Sequence, residues 1–219
     1  MSPYRTAARA IVVITMLLTY SCFAQEERWE RRDQWQNFPR IFSAMDVQEG
    51  SVVADVGCRE GYLTVRLAGA VGERGTVYGV DIDAEALERL RKNLQETEIS
   101  NVVAVHSRPD DPLLPDSVLD AIVVVNSYHE FDAYREMLAH FLTALKPGGR
   151  LVIVEPAKAS SRGDSREAQV AEHRIALHFV LQEVREAGFE IVEALDPFVE
   201  RAHRSDEMWL LAARKPSEP

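Results

Sequence analysis

From residue 51 onward, apolar runs and amphipathic stretches alternate along the chain. Residues 51–56 (SVVADV) form an apolar run that stops at Gly57, the mark of a buried strand. Residues 61–70 carry Leu63, Leu67 and Ala70 at helical spacing. Residues 76–80 predict a second strand, and residues 84–98 an amphipathic helix built on Leu87, Leu90 and Leu94. Third and fourth strands are predicted over 102–105 and 121–125. The fourth is apolar throughout, which places it centrally. Residues 132–145 predict a helix that stops at the turn Lys146-Pro147-Gly148-Gly149. A fifth strand over 151–154, a polar loop over 157–169 and a helix over 175–187 closed by Gly188 follow. Strands over 189–192 and 208–212 end the series. This alternation predicts an α/β fold, a Rossmann-like, doubly wound, mostly parallel sheet of seven strands.

The first two dozen residues follow a different pattern. Arg5 and Arg9 precede an apolar stretch, residues 10–20 (AIVVITMLLTY), and Ser21-Cys22-Phe23-Ala24 then offers small residues for cleavage. Those three parts in that order predict a secretory signal peptide over 1–24. The apolar stretch falls short of the roughly 20 residues a membrane span needs. An uncleaved anchor and a lipid on Cys22 are the alternatives, so contact with a membrane is expected only through this segment. Residues 25–49 are charged with spaced aromatics, Trp29, Trp35, Phe38 and Phe42. They predict one or two short helices, interrupted near Pro39. The globular domain is expected over 50–215.

Composition narrows the partners. A hydrophobic fraction of 46% and a charged fraction of 27% over 219 residues fit one globular domain with a sizeable core. The formal net charge is −10, and no basic stripe opposes it. Arg28, Arg31 and Arg32 interleave with Glu26, Glu27, Glu30 and Asp33, the pattern of a solvated helix face. Nucleic acid is therefore excluded as a partner. After cleavage Cys58 is the single cysteine, so no internal disulfide forms. There is no CxxC, and His173 and His178 are not spaced to share a helix face, so no metal site is expected.

In an open α/β sheet ligands bind beyond the carboxyl ends of the strands, at the point where strand order reverses. The loop after the first strand, from Gly57 to Gly61, lies there. Glycine admits positive φ and a close approach of backbone to ligand, and a helix start presents free N–H groups. By itself such a turn is a weak signal. Its spacing lacks the GxGxxG of dinucleotide binders, and no P-loop lysine is present. Asp81 follows the second strand about twenty residues later, where a carboxylate can accept from both ribose hydroxyls. Together these features favour an adenosine-type ligand.

Four segments in order, VADVGCREGYLT, VYGVDID, LDAIVVVNSYHEF and LKPGGRLVIVEP, resemble the motifs of class I S-adenosylmethionine-dependent methyltransferases. The resemblance spans about residues 50–156, and the tail EHRIALHFVLQEVREAGFEIVE continues it. It is closest to a group of exported methyltransferase-like proteins that begin with a signal peptide and an RDxWQ-like segment, here Arg32-Asp33-Gln34-Trp35-Gln36. The resemblance implies the seven-stranded sheet of the class I type and S-adenosylmethionine as cofactor. It assigns Asp55, Gly57 and Gly61 to the methionine end of the cofactor, Asp81 to the ribose and Ile82 to the adenine. Asn126 would sit beside the methyl donor. Arg108 stands where the family often has an acid near the adenine amine, and Asp110 is the substitute. Arg59 stands where the family usually has glycine. Its side chain either turns outward or pairs with the cofactor carboxylate.

An acceptor has to be held against the methyl carbon, often with a proton removed. Tyr128-His129-Glu130 follows the fourth strand, with His129 and Glu130 as candidate bases and Tyr128 lining the acceptor pocket. His173, in the tail of the resemblance, is a further substrate contact. Glu155 at the end of the fifth strand is similarly placed. The leading expectation is an exported methyltransferase acting on a small-molecule or cell-envelope acceptor. The alternative is a methyltransferase fold that binds but does not catalyse, motivated by Arg59, Arg108 and the cytoplasmic origin of the methyl donor. A nicotinamide-dependent oxidoreductase is the third, and the missing GxGxxG argues against it.

Overall fold

A computed structural model describes residues 27, 29–33, 35–200 and 206–217. The expected signal peptide over 1–24 lies outside the described residues. The chain divides into two compact units, Met1–Asn37 and Phe38–Pro219. In the first, residues 29–33 and 35–36 are helical, and Arg31 meets Glu27 at 3.4 Å as an exposed i,i+4 pair.

The second unit begins with helix α1, Phe38–Met45. The break before it falls at Asn37, whose φ is +49°, so Pro39 sits inside the first turn, where its missing N–H costs nothing. Helix α1 buries Ile41, Ala44 and Met45 and packs on the sheet.

Then come β1 (Val52–Val56), α2 (Tyr62–Val71), β2 (Thr76–Asp81), α3 (Ala84–Glu96), β3 (Val102–His106) and β4 (Leu119–Val125). Helix α4 (Tyr134–Ala144), β5 (Leu145–Ala157), α5 (Arg166–Val170), α6 (Leu177–Glu186), β6 (Glu190–Glu200) and β7 (Glu207–Arg214) complete the unit. The sheet order is β3-β2-β1-β4-β5-β7-β6. Strands β1 to β5 run parallel, while β7 is antiparallel to β5 and β6 antiparallel to β7. The seven-stranded, mostly parallel sheet read from the sequence is thus the observed architecture.

Three boundaries differ from the sequence reading. The Lys146-Pro147-Gly148-Gly149 stretch lies inside β5, whose pairing with β4 shifts register between Leu119 and Ala121. The chain bends there without leaving the sheet. The polar stretch over 157–169 contains a short helix, α5, capped by Ser165, whose hydroxyl accepts from the Ala168 N–H at 3.3 Å. Strand β6 is long, and its residues are exposed or half-buried, so the apolar pattern in 189–192 marks only its start.

The core lies between the sheet and its helices. Phe141, Leu138, Ile122, Ile153, Leu211 and Trp209 are buried to the last per cent in one cluster. Each such side chain contributes about 1.5–3 kcal/mol of transfer free energy. The Trp209 indole N–H is satisfied by the Ile175 carbonyl at 2.7 Å. Leu87, Leu90 and Leu94 of α3 form a second cluster with Cys58, as their spacing predicts. Strand order reverses between β1 and β4, which opens the crevice at the carboxyl ends of those strands.

Candidate active site at the switch point of the sheet

Two loops flank that crevice. The first, Gly57 to Gly61, leaves β1 with the Gly57 and Cys58 N–H groups both donated to the Val80 carbonyl, at 2.8 and 3.1 Å. A Cβ on Gly57 would lie 2.3 Å from Ser127 Oγ, and one on Gly61 would lie 2.3 Å from Leu90 Cδ1. Both have positive φ. These glycines are required because β1 closes against the β4 loop and α2 against α3. Arg59 also has positive φ, +50°, and its N–H is donated to Asp81 Oδ2 at 2.7 Å. Its guanidinium points outward, 68% exposed and 4.0 Å from Glu60. Asp81 is buried at the end of β2, and its Oδ1 accepts the Asp83 N–H at 2.9 Å. Asp55 is buried on β1 and accepts the Thr64 hydroxyl at 2.6 Å. Burial, and then the Asp55 and Asp81 charges, push the Cys58 thiol far up, so it stays a neutral packing group.

The second loop follows β4. Asn126 takes a left-handed conformation, φ +56°, exposes its side chain and donates its N–H to Val154 at 2.8 Å. A short 3-10 turn, Tyr128–Glu130, comes next. Its anchor is Glu155, which is fully buried on β5. One oxygen of Glu155 accepts the Ser127 and Tyr128 N–H groups at 2.6 and 2.8 Å, and the other meets His129 Nδ1 at 2.5 Å. The imidazole is itself buried, and its Nε2 faces Glu130 Oε1 at 3.8 Å. His173 comes from the turn after α5. Its Nδ1 lies 3.9 Å from the same Glu130 oxygen, and its ring stands edge-on to His129 with centroids 5.7 Å apart. Burial disfavours a charged His129, but the Glu155 hydrogen bond and the Glu155 and Glu130 charges prevail and raise its pKa above the usual histidine value.

Residues 53–149 match the family profile described as a methyltransferase domain. That match covers less than half of the chain. The chain is 27% identical over 135 residues to a demethylmenaquinone methyltransferase of Bacillus mycoides, an alignment covering 62% of this chain and 56% of that one. The chain thus spans little more than half the length of the curated relative. A structure titled as a SAM dependent methyltransferase from Aquifex aeolicus superposes with a TM-score of 0.71 at 22% identity, over 84% of this chain and 92% of that one. Phosphoethanolamine N-methyltransferase 2 of Haemonchus contortus, in complex with S-adenosyl-L-methionine, superposes with a TM-score of 0.67 at 14% identity, over 83% and 52%. At these identities the superpositions show that the fold is shared with S-adenosylmethionine-dependent methyltransferases.

The donor set at the switch point fits S-adenosylmethionine. Asp81 presents a carboxylate whose two oxygens accept the Arg59 and Asp83 N–H groups and keep lone-pair capacity for hydroxyl donors. Beside it Ile82 leaves 60% of its surface exposed, and Leu113, beyond β3, leaves 43%. A buried carboxylate next to exposed aliphatic surface suits a ribose carrying a flat ring. Ser107, which leads toward Asp110, donates its N–H to the Asp81 carbonyl at 3.0 Å. Asp110 itself is exposed, in a stretch closed by mutual backbone bonds of Arg108 and Asp111.

Tyr128, expected to line an acceptor pocket, is fully buried in the core and donates its hydroxyl to Glu183 Oε2 at 2.7 Å. Arg166 holds the other Glu183 oxygen at 2.6 Å. Glu155 was read only as similarly placed to the tail residues, yet it organises the whole second loop. Its signal was an acid directly after the apolar run LVIV, where a charge survives only with partners. His129, Glu130 and His173, which no helical spacing links, are brought together.

Proposed function

We propose that the chain is an exported S-adenosylmethionine-dependent methyltransferase acting on a small-molecule or cell-envelope acceptor. The observation that carries the acceptor side is the Glu155 clamp. A buried carboxylate spends both oxygens on fixing Ser127, Tyr128 and His129 at the rim of the crevice. When bound, S-adenosylmethionine supplies an electrophilic methyl group. Asp55, Gly57 and Gly61 border its methionine end, Asp81 and Ile82 its nucleoside, and Asn126 the reacting centre, with Asp110 at the adenine rim. His129 and Glu130 then prepare the acceptor nucleophile, and His173, beside them, contacts the acceptor. Holding these groups in place before the acceptor arrives reduces the reorganisation the reaction needs. The leader pattern of residues 1–24 supports export, and the net charge of −10 supports a partner other than nucleic acid.

The test has two stages. Calorimetry on the chain without residues 1–24 should show saturable binding of S-adenosylhomocysteine, and absence of binding at millimolar ligand sinks the reading. Transfer of a labelled methyl group is then followed over hydroxyl, amine and quinol acceptors, including demethylmenaquinone because of the relative that bears that name.

A second reading has a specific observation behind it. Arg59 holds a left-handed conformation in the cofactor loop where a side chain is strained, as expected of a site drifting away from tight binding. On that reading the fold binds and does not turn over. It predicts S-adenosylhomocysteine binding with no transfer to any acceptor.

A further inference from the structure

We propose that His129, Glu130 and His173 form an open site for a divalent transition-metal cation of the kind that prefers imidazole. Its role as an acceptor-holding centre rests on the methyltransferase reading, whereas the cation binding does not. One ligand atom from each residue lies within 4.8 Å of the other two. Two imidazoles and a carboxylate are the donor set of open zinc centres and of non-haem iron.

Four features of the structure point to a built site. First, His129 is oriented as a metal ligand is. A metal-bound imidazole almost always gives its other ring N–H to a carboxylate. Here Nδ1 meets the fully buried Glu155 at 2.5 Å. With the proton on Nδ1, the lone pair is on Nε2, the atom that faces Glu130.

Second, the distances are close to those of a bound ion. Tetrahedral bonds of about 2.1 Å put neighbouring ligand atoms about 3.4 Å apart. Glu130 Oε1 lies 3.8 Å from His129 Nε2 and 3.9 Å from His173 Nδ1. These two edges have to shorten by about half an ångström to reach that geometry, and the third, between the two imidazoles, lies within 4.8 Å. The Glu130 and His173 side chains are 58% and 78% exposed, so they are free to close, while His129 is fixed.

Third, the turn that carries His173 is fastened from below. Gln169, buried, accepts the Ala176 N–H at 2.7 Å and donates to the Asp164 carbonyl at 3.0 Å. The His173 and Arg174 N–H groups return to Val170 and Gln169 at 2.9 and 3.2 Å. The exposed His173 ring is thus presented on a braced turn, φ +54°, instead of a loose loop.

Fourth, three protein ligands leave further coordination positions open toward solvent, the arrangement of a centre that takes water or substrate. A hydroxyl or phenol oxygen bound there would release its proton to water at lower pH than in solution, because the cation stabilises the anion. The acceptor class implied is an oxygen nucleophile.

The probe is Co2+, which reports its ligands through visible absorption. The untagged chain is stripped with a chelator and titrated with Co2+, with Zn2+ added afterwards as a competitor. Expected is a set of d–d bands that saturates near one equivalent and is bleached by Zn2+. His173→Ala and Glu130→Gln, both exposed positions, should each weaken Co2+ binding at least tenfold with unchanged circular dichroism. Absence of bands at one equivalent overturns the proposal, and so do bands that persist with parental affinity in both variants. S-adenosylhomocysteine binding is measured on the same stripped sample. If it is lost, the methyltransferase reading fails and the cation result still stands or falls by itself.

Discussion

The two loops that flank the crevice are built in opposite ways. On the β1–β2 side the contacts are local. Asp81 accepts N–H groups from Arg59 and Asp83, and Asp55 accepts from Thr64, all within one strand–helix–strand unit. On the β4–β5 side they are distant. Glu155 reaches back to Ser127, Tyr128 and His129, Glu183 to Tyr128, and His173 to Glu130. The first side is a compact motif for one ligand. The second is a scaffold assembled from four separate segments. A cofactor common to many proteins can be read by a local motif, whereas acceptor chemistry varies and is set by tertiary assembly.

The comparison can be broken most severely at Glu155. Glu155→Ala leaves two buried N–H groups and the His129 ring without their acceptor. Removing one member of a buried, charged network costs about 3–5 kcal/mol. Urea unfolding should show that loss, and Glu155→Gln, which keeps an acceptor oxygen, should recover part of it. A loss below about 1 kcal/mol, the range of an exposed pair, would mean the clamp does not hold the second loop.

Asp81 tests the other side and should separate binding from stability. Hydrogen bonds to a charged group contribute about 1.5–3 kcal/mol. Asp81→Ala removes the acceptor expected for the ribose together with the anchor of the Arg59 N–H. S-adenosylhomocysteine affinity should fall about 10- to 100-fold, by the same magnitude. If calorimetry shows parental affinity, the nucleoside does not lie at β2. Asp81→Ala and Glu155→Ala also sharpen the comparison as a pair. The first should act mainly on ligand binding and the second mainly on unfolding.

The same contrast decides what was legible beforehand. The parallel sheet, the glycine loop and Asp81 could be read because each depends on neighbours in sequence: apolar period, strand–helix spacing, a carboxylate at a strand end. The Glu155 clamp could not, because nothing in the run LVIVEP says which N–H groups its carboxylate meets. His173 was flagged with the tail, yet only the fold brings it to Glu130. Tyr128 was placed on the wrong side for a related reason. A three-residue turn has no period from which to read its facing, and Glu183, its partner, lies on another helix. The Lys-Pro-Gly-Gly stretch misled as well. Local turn chemistry yielded there to pairing with β4, which carries the strand through the bend.

Arg59 gives the smallest and most discriminating effect. Its backbone does useful work in the loop, donating to Asp81, while its guanidinium faces solvent. Those two facts separate what the residue's N–H contributes from what its side chain contributes. Glycine keeps the N–H and removes the Cβ strain of a left-handed conformation, about 1–2 kcal/mol. It also adds about 0.5–1 kcal/mol of backbone entropy cost. Arg59→Gly should therefore stabilise the chain by about 0.5–1 kcal/mol, the balance of those terms. S-adenosylhomocysteine affinity should stay level or rise slightly, because the outward guanidinium makes no contact toward the crevice. A fall in S-adenosylhomocysteine affinity would show that the guanidinium swings inward to the cofactor carboxylate when ligand binds. The arginine would then be a working part of the loop, and the β1–β2 side would no longer be purely local backbone recognition.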